Sequence, residues 1–316
     1  MSLKSLNNHD TEKRSLSEKI KAEAHRLGFF ACGIAKAEPV DDETAAVFKK
    51  WLSDGNHSDM AYMANNLDKR LDPTLLMPGA ESIVCVALNY SPKEYISSVE
   101  YQLAAYAYGQ DYHDVMKSKL NQLAAILPSE VKICCDTVPI LERYWAEKAG
   151  IGWIGRNHQL IIPQAGSMFF LGEIITTETL YYDSPAINRC GNCHACTDAC
   201  PTGAIAASGG TLNACKCLSY LTIENRGPIA DEYKKALGNS IYGCDRCQNA
   251  CPWNRFASAT EEERFLPSKE LLEMKRDDWN NLTVEDYRVL FKGSAVKRAK
   301  YEGLMRNISI AKENNR

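Results

Sequence analysis

The strongest chemical signal in this sequence is a set of cysteines. Cys190-x2-Cys193-x2-Cys196-x3-Cys200 runs directly into Pro201, and Cys244-x2-Cys247-x3-Cys251 runs into Pro252. The first run has the spacing of bacterial two-cluster ferredoxins, where three cysteines hold one [4Fe–4S] cluster and the fourth ligates the other. Two-residue spacers let a tight loop present three thiolates to three corners of one cubane. The longer spacer and the proline send the fourth thiolate away into a following helix. The second run lacks one cysteine of the full pattern. Cys217 can supply it, and Cys215 competes for the role at this spacing. The crossover then assigns Cys190, Cys193, Cys196 and Cys251 to one cluster and Cys200, Cys217, Cys244 and Cys247 to the other. Two such cubanes pass electrons singly. Structural zinc also uses paired CxxC motifs, but it needs no pair of Cys-Pro endings.

The compartment follows from the same residues. Thirteen cysteines in 316 residues require an explanation. No run of about 20 apolar residues is present to span a membrane. The segment 1–14 is polar and lacks the apolar core of a secretory signal. A reducing cytoplasm is expected, where disulfides are rare and many cysteines mean metal. Cys32, Cys85, Cys134 and Cys135 stand apart from the cluster, in apolar strands, and read as small core residues. The net charge of −3 neither points to nucleic acid nor excludes it, because basic patches act locally.

The elements that must position this chemistry come next. Ser15 and Glu18 read as a capping box opening a helix that stops near Gly28. Phe29–Ile34, Ser82–Leu88, Val131–Cys135 and Ser167–Thr176 read as strands. Tyr112, Val115, Met116, Leu120, Leu123, Ala124 and Leu127 recur at helical spacing, and a further helix is expected over Ile140–Lys148. Strands alternating with helices imply helices layered on a sheet. Helical patterns follow the cysteines at Glu261–Met274, Val284–Phe291 and Tyr301–Ala311. The expected division is 1–180 for the layered domain, 181–257 for the cluster module and 258–316 for a short helical C-terminal segment. A cluster pair needs a terminus for its electrons, and the first domain is large enough to hold one.

Asp136 follows a strand, where it either belongs to an active site or caps the next element. The glycine-rich stretch from Gly150 to Asn157 is not a dinucleotide motif. It either brings backbone close to a planar ligand or makes a tight helix exit. His113 sits in Asp-x-His, but Met116 stands where corrinoid enzymes carry glycine. It is therefore not assigned as a cobalt ligand and reads as a cap or surface contact. Lys292, Lys297, Arg298, Lys300 and Arg306 either meet phosphate or form a solvated helix face.

The chain resembles the epoxyqueuosine reductases over nearly its whole length. The resemblance rests on Asp111-Tyr112-His113, on DTVPILERYWAEKAGIGWIGRN from Asp136, on CGNCHACTDACPTGAI from Cys190, on KCLSYLTIE from Lys216, and on the run Gly243 to Asn254. It implies an α+β architecture: a nitroreductase-like layered domain holding cobalamin, a ferredoxin-like module with two [4Fe–4S] clusters, and a short helical C-terminus. It implies reduction of epoxyqueuosine to queuosine at the wobble position of tRNA, fed by an external low-potential electron donor. It places Cys217, not Cys215, among the ligands and makes Asp136 the proton donor, its pKa raised by burial. It suggests Gly152, Gly155, Asn157 and Asp245 as cofactor contacts, and Glu142 and Arg143 as neighbours of Asp136 or of substrate. A cytoplasmic monomer is expected. The alternatives are a ferredoxin-type carrier without catalysis and a corrinoid reductive dehalogenase. A short form is expected, without the C-terminal helical repeats of many relatives.

Overall fold

The computed structural model describes residues 3–206 and 210–315, with side chains from residue 10 onward. Its strands are β1 (Ala31–Lys36), β2 (Ser82–Asn89), β3 (Gln102–Leu103), β4 (Val131–Cys134), β5 (Trp153–Ile154), β6 (Leu160–Ile161), β7 (Phe169–Thr176) and β8 (Ser240–Tyr242). Four of them form one sheet in the order β1-β2-β7-β4, with every neighbouring pair antiparallel. β2 lies inside the sheet and is covered on both faces. Its sequence SIVCVALN is accordingly apolar without alternation.

One face of the sheet packs against the helices Leu3–Arg26 and Tyr112–Ala124. Ile20, Ala24, Val115, Met116 and Leu120 there meet Ile34, Val84, Val86 and Ile174. Each fully buried Met or Leu of this layer stabilises by roughly 1.5–3 kcal/mol. The other face packs against helix Glu142–Lys148, where Tyr144, Trp145 and Ala146 meet Ile83, Cys85, Ala87, Cys134 and Ile175. The architecture is α+β, with layers on both faces of the sheet. Cys85, Cys134 and Cys135 are buried and Cys32 packs on the core, as expected of small core residues.

Two boundaries differ from those read in the sequence. The first helix runs Leu3–Arg26, so Ser15 and Glu18 lie inside it. Serine and glutamate three apart fit a helix surface as well as a helix start. The pattern over Glu261–Met274 is two pieces, a 3-10 turn Glu263–Phe265 and a helix Lys269–Glu273. Pro267, which has no N–H to donate, separates them.

The cysteine module is tied to both flanks. β3 pairs in parallel with β8, joining the layered domain to the segment before Cys244. The C-terminal helix Lys300–Glu313 packs on the same place. Its fully buried Asn307 donates to the carbonyls of Thr222 at 2.9 Å and Ile241 at 2.8 Å. Leu304 and Ile308 share a core with Tyr101, Leu103, Tyr242 and Trp279. None of the described helices is long and apolar enough to cross a membrane.

Candidate active site

The thiols gather in two sets. Cys196 is placed where a thiolate feels the charges of Cys251 and Cys190, and Cys251 feels those of Cys190 and Cys193. Cys247 feels Cys244, Cys217 and Cys200. Cys215 points elsewhere, its Sγ 3.4 Å from the Gly55 carbonyl. Among the described residues, no three His, Cys, Asp or Glu converge closely enough to hold a single ion. Structural zinc would need thiolates about 2.3 Å from a common point. A cubane instead gives each thiolate its own iron, so the donor set suits clusters.

Local sequence builds these seats. Burial alone would raise the pKa of Cys200, yet the backbone N–H groups of Ile205, Thr202 and Ala204 converge on it and hold it below its usual value. Pro201 and Gly203, at φ +62°, make the turn that aims those groups. The first set is wrapped by Trp153, Ile161 and Trp253. Trp153 donates its indole N–H to Cys190 Sγ at 3.4 Å, an interaction that tunes cluster potential.

The glycine-rich stretch therefore serves the clusters by another route than the one suggested. Gly152 and Gly155 do not line the central cavity. A Cβ on Gly152 would overlap the Ile161 carbonyl, and one on Gly155 would lie 2.5 Å from Ile161 Cδ1. Gly152 is small so that the β5–β6 hairpin can close, which is what carries Trp153 to Cys190. Asn157 is buried, lines the cavity and donates to the Cys247 carbonyl at 3.4 Å.

That cavity, of about 320 Å³, lies between the layered domain and the second thiol set. Tyr90, Tyr106, Tyr112, Phe169 and Phe170 wall it on one side, and Cys200, Cys217, Cys244 and Cys247 reach it from the other. Asp136, Asn157 and Asp245 line it too. Asp245 accepts the Ala105 N–H at 2.7 Å, and burial lifts its pKa to about 6. The walls offer aromatic faces with a rim of amide and hydroxyl groups from Asn157, Gln159, Ser167 and Gln248. Such a lining fits a corrin, which is a flat apolar macrocycle with an amide fringe.

Asp136 leaves β4 with φ +54°, the left-handed region that costs a non-glycine residue. The Glu142 carboxylate accepts its N–H and holds the turn. The Asp136 side chain is 55% exposed and bonds His113 Nε2 at 3.0 Å. His113 Nδ1 meets Asp111 at 2.7 Å, and Asp111 caps the helix on which His113 sits. Hydrogen bonds to Asp111 and then to Asp136 raise the His113 pKa to about 9. The His113 bond lowers that of Asp136 and outweighs burial. This corrects two expectations. His113 is a partner of Asp136 rather than a cap, and in this structure Asp136 is held as an anion beside an imidazolium.

Beneath this group lies a carboxyl that sequence reading passed over. Glu173 on β7 is fully buried, flanked in register by Cys85 and Cys134. Among the described residues neither of its oxygens has a hydrogen-bond partner. Burial, then the nearby Glu142, pushes its pKa well above the ordinary range, so it is neutral. A lone glutamate inside FFLGEIIT was the available signal. Of the basic C-terminal residues, Arg298 pairs with Glu224 at 2.8 Å through both carboxylate oxygens. Arg306 is spent on the carbonyls of Leu221, Asn225 and Gly227.

Two thiol sets, a cavity against one of them and a poised acid group define a two-cluster iron–sulfur oxidoreductase. A family described as 4Fe-4S double cluster binding domain matches residues 189–254, and one described as Epoxyqueuosine reductase QueG, DUF1730 matches residues 70–137. An epoxyqueuosine reductase of Cellulophaga algicola is 43% identical over 95% of this chain and 99% of its own. The chain belongs to the epoxyqueuosine reductase family. A solved epoxyqueuosine reductase with a tRNA-Tyr epoxyqueuosine-modified stem loop matches 94% of this chain and 80% of its own, with TM-score 0.86 and 29% identity. A Bacillus subtilis epoxyqueuosine reductase, with TM-score 0.84, 29% identity and coverage of 94% and 81%, has its catalytic aspartate loop swung out of the active site.

Proposed function

We propose that this chain reduces epoxyqueuosine at the wobble position of tRNA to queuosine. The observation that carries the reading is one cavity joining Asp136 to the second thiol set. The net change is epoxide plus two electrons and two protons giving alkene plus water. Cys190, Cys193, Cys196 and Cys251 hold one [4Fe–4S] cluster, and Cys200, Cys217, Cys244 and Cys247 the other. Bound in the cavity, cobalamin would supply a low-potential centre for reducing the epoxide, and the aromatic wall, Asn157 and Asp245 would hold it. An external low-potential donor refills the clusters. We read the enzyme as a monomer working in the reducing cytoplasm, where a chain rich in cysteines is expected to hold metal.

The proton for the leaving oxygen starts on His113, passes to the Asp136 carboxylate across their shared hydrogen bond and goes on to the oxygen, and solvent supplies the second proton. General acid catalysis of this kind contributes roughly 10²–10⁴-fold. Glu142 fixes the turn, and neutral Glu173 adds no charge to oppose it. The test is to reduce the loaded protein anaerobically, add tRNA bearing epoxyqueuosine and weigh the nucleosides. Queuosine is expected. Unchanged epoxyqueuosine, with both clusters shown to be reduced, would overturn the reading.

The proton supply has a pH signature. His113 is protonated below its folded pKa of about 9 and loses that proton as pH rises through it. Single-turnover rates of pre-reduced enzyme are expected to fall above about pH 9. In His113→Gln that limb should vanish while the plateau drops. An unaltered alkaline limb in the variant would assign it to another group. The same sign holds for stability. The contribution from the raised pKa is complete below about 6.5, the ordinary histidine value, and lost through about 9.

A further inference from the structure

The two thiol sets face different cavities. Those of Cys200, Cys217, Cys244 and Cys247 border the catalytic cavity, whereas Cys251 lines a separate outer cleft of about 650 Å³. The cavities share no lining residue. Ser167 and Gln248 face the inner one, and their chain neighbours Met168 and Asn249 face the outer one. A hydrogen-bonded wall stands between: Gln248 donates to the Ser167 carbonyl at 3.0 Å, and Asn254 donates to the Gln248 carbonyl at 2.6 Å. If electrons leave through the second cluster, the first must receive them.

The outer cleft has the character of a receiving surface. Lys93 and Arg255 line it, and among the described residues no carboxylate does. Further basic groups stand at the Cys190 loop: exposed Arg189 precedes it, and Arg156 donates to the Gly191 carbonyl at 2.9 Å. Exposed aromatic surface accompanies the charge, with Tyr95 at 49% and Phe256 at 40% exposure. From Phe256 a ladder of rings runs inward. Phe256 lies 6.1 Å from Trp253, Trp253 lies 4.9 Å from Trp153, and Trp153 donates to Cys190 Sγ at 3.4 Å. A small apolar spot beside a cleft whose only charged lining residues are basic suits a brief, electrostatically steered encounter.

We propose that this cleft docks an acidic one-electron carrier protein, which reduces the first cluster through the face bearing Lys93, Arg255 and Phe256. The proposal rests on the cluster assignments above. A basic cleft could equally attract tRNA phosphate. Its separation from the cavity that holds Asp136, and the cluster thiol in its wall, favour the carrier. Each encounter oxidises the carrier by one electron and reduces the cluster by one, with no bond made or broken. Two encounters supply one turnover.

The probe is reduced plant-type [2Fe–2S] ferredoxin, a low-potential carrier, mixed anaerobically with the holoenzyme. Cluster reduction is followed by electron paramagnetic resonance, which needs no turnover. In wild type the rate should fall as salt screens the surface charge. The Lys93→Glu/Arg255→Glu double variant, matched for iron content, should accept electrons at least tenfold more slowly at low salt and show little salt dependence. Lys93→Gln/Arg255→Gln should fall between. Turnover driven by dithionite, which needs no docking, should be unchanged. An unaltered ferredoxin rate in the charge-reversed enzyme sinks the proposal. So does a loss of tRNA stem-loop affinity, which would give the cleft to nucleic acid. Failure of the proposed function looks different: ferredoxin and dithionite would both reduce the clusters, yet epoxyqueuosine would persist.

Discussion

Asp136→Asn is expected to keep both clusters and cobalamin yet lose roughly 10²–10⁴-fold in single-turnover rate, the range for a removed general acid. Asparagine has the same shape, and its Oδ1 can still accept the N–H of protonated His113. Its backbone N–H can still reach Glu142, so the turn at φ +54° is kept. What it cannot do is take up the His113 proton and pass it on. Iron, sulfide and cobalamin contents report on the seats, and the nucleoside product reports on the chemistry. Normal turnover in this variant would remove Asp136 from the proton path.

The second large effect separates two neighbouring cysteines. Cys217→Ala should lose one of the two clusters, so iron and inorganic sulfide fall by about half. Cys215→Ala should lose neither. Cys217 is placed among Cys200, Cys244 and Cys247, whereas Cys215 faces Gly55 across the groove. The seat that Cys217 completes sits beside Leu218, Tyr220 and Leu221 in a packed core. Because ligation and folding are linked, Cys217→Ala should also unfold at a lower temperature. Equal iron in the two variants would reverse the assignment.

Much of this was legible in residue order, and the gaps have physical causes. Cysteine spacing reads well because a cubane fixes where thiolates must lie. The sheet strands read well because β2 and, apart from Glu173, β7 are largely apolar. Asp136 was visible as a carboxylate after a strand, but its ionisation was not, since that depends on His113, which lies 23 residues earlier and meets it only in the fold. The glycines at 152 and 155 stood out, but spacing could not say what approaches them. Glycine says that something comes close, and here it is Ile161 of the same hairpin. Glu173 escaped because one acidic residue in a strand ordinarily marks an edge or an exposed face. Only the register, with cysteines on both sides, reveals a buried row.

The stitch made by Asn307 has a bearing on how the protein matures. The strand ahead of Cys244 and the helix after Cys217 are held together by a side chain eight residues before the last described one. A nascent chain has therefore synthesised all eight cysteines well before it owns the clasp that sets their spacing. Until residue 307 has been made and docked, the thiols stand open to oxidation and to stray metal.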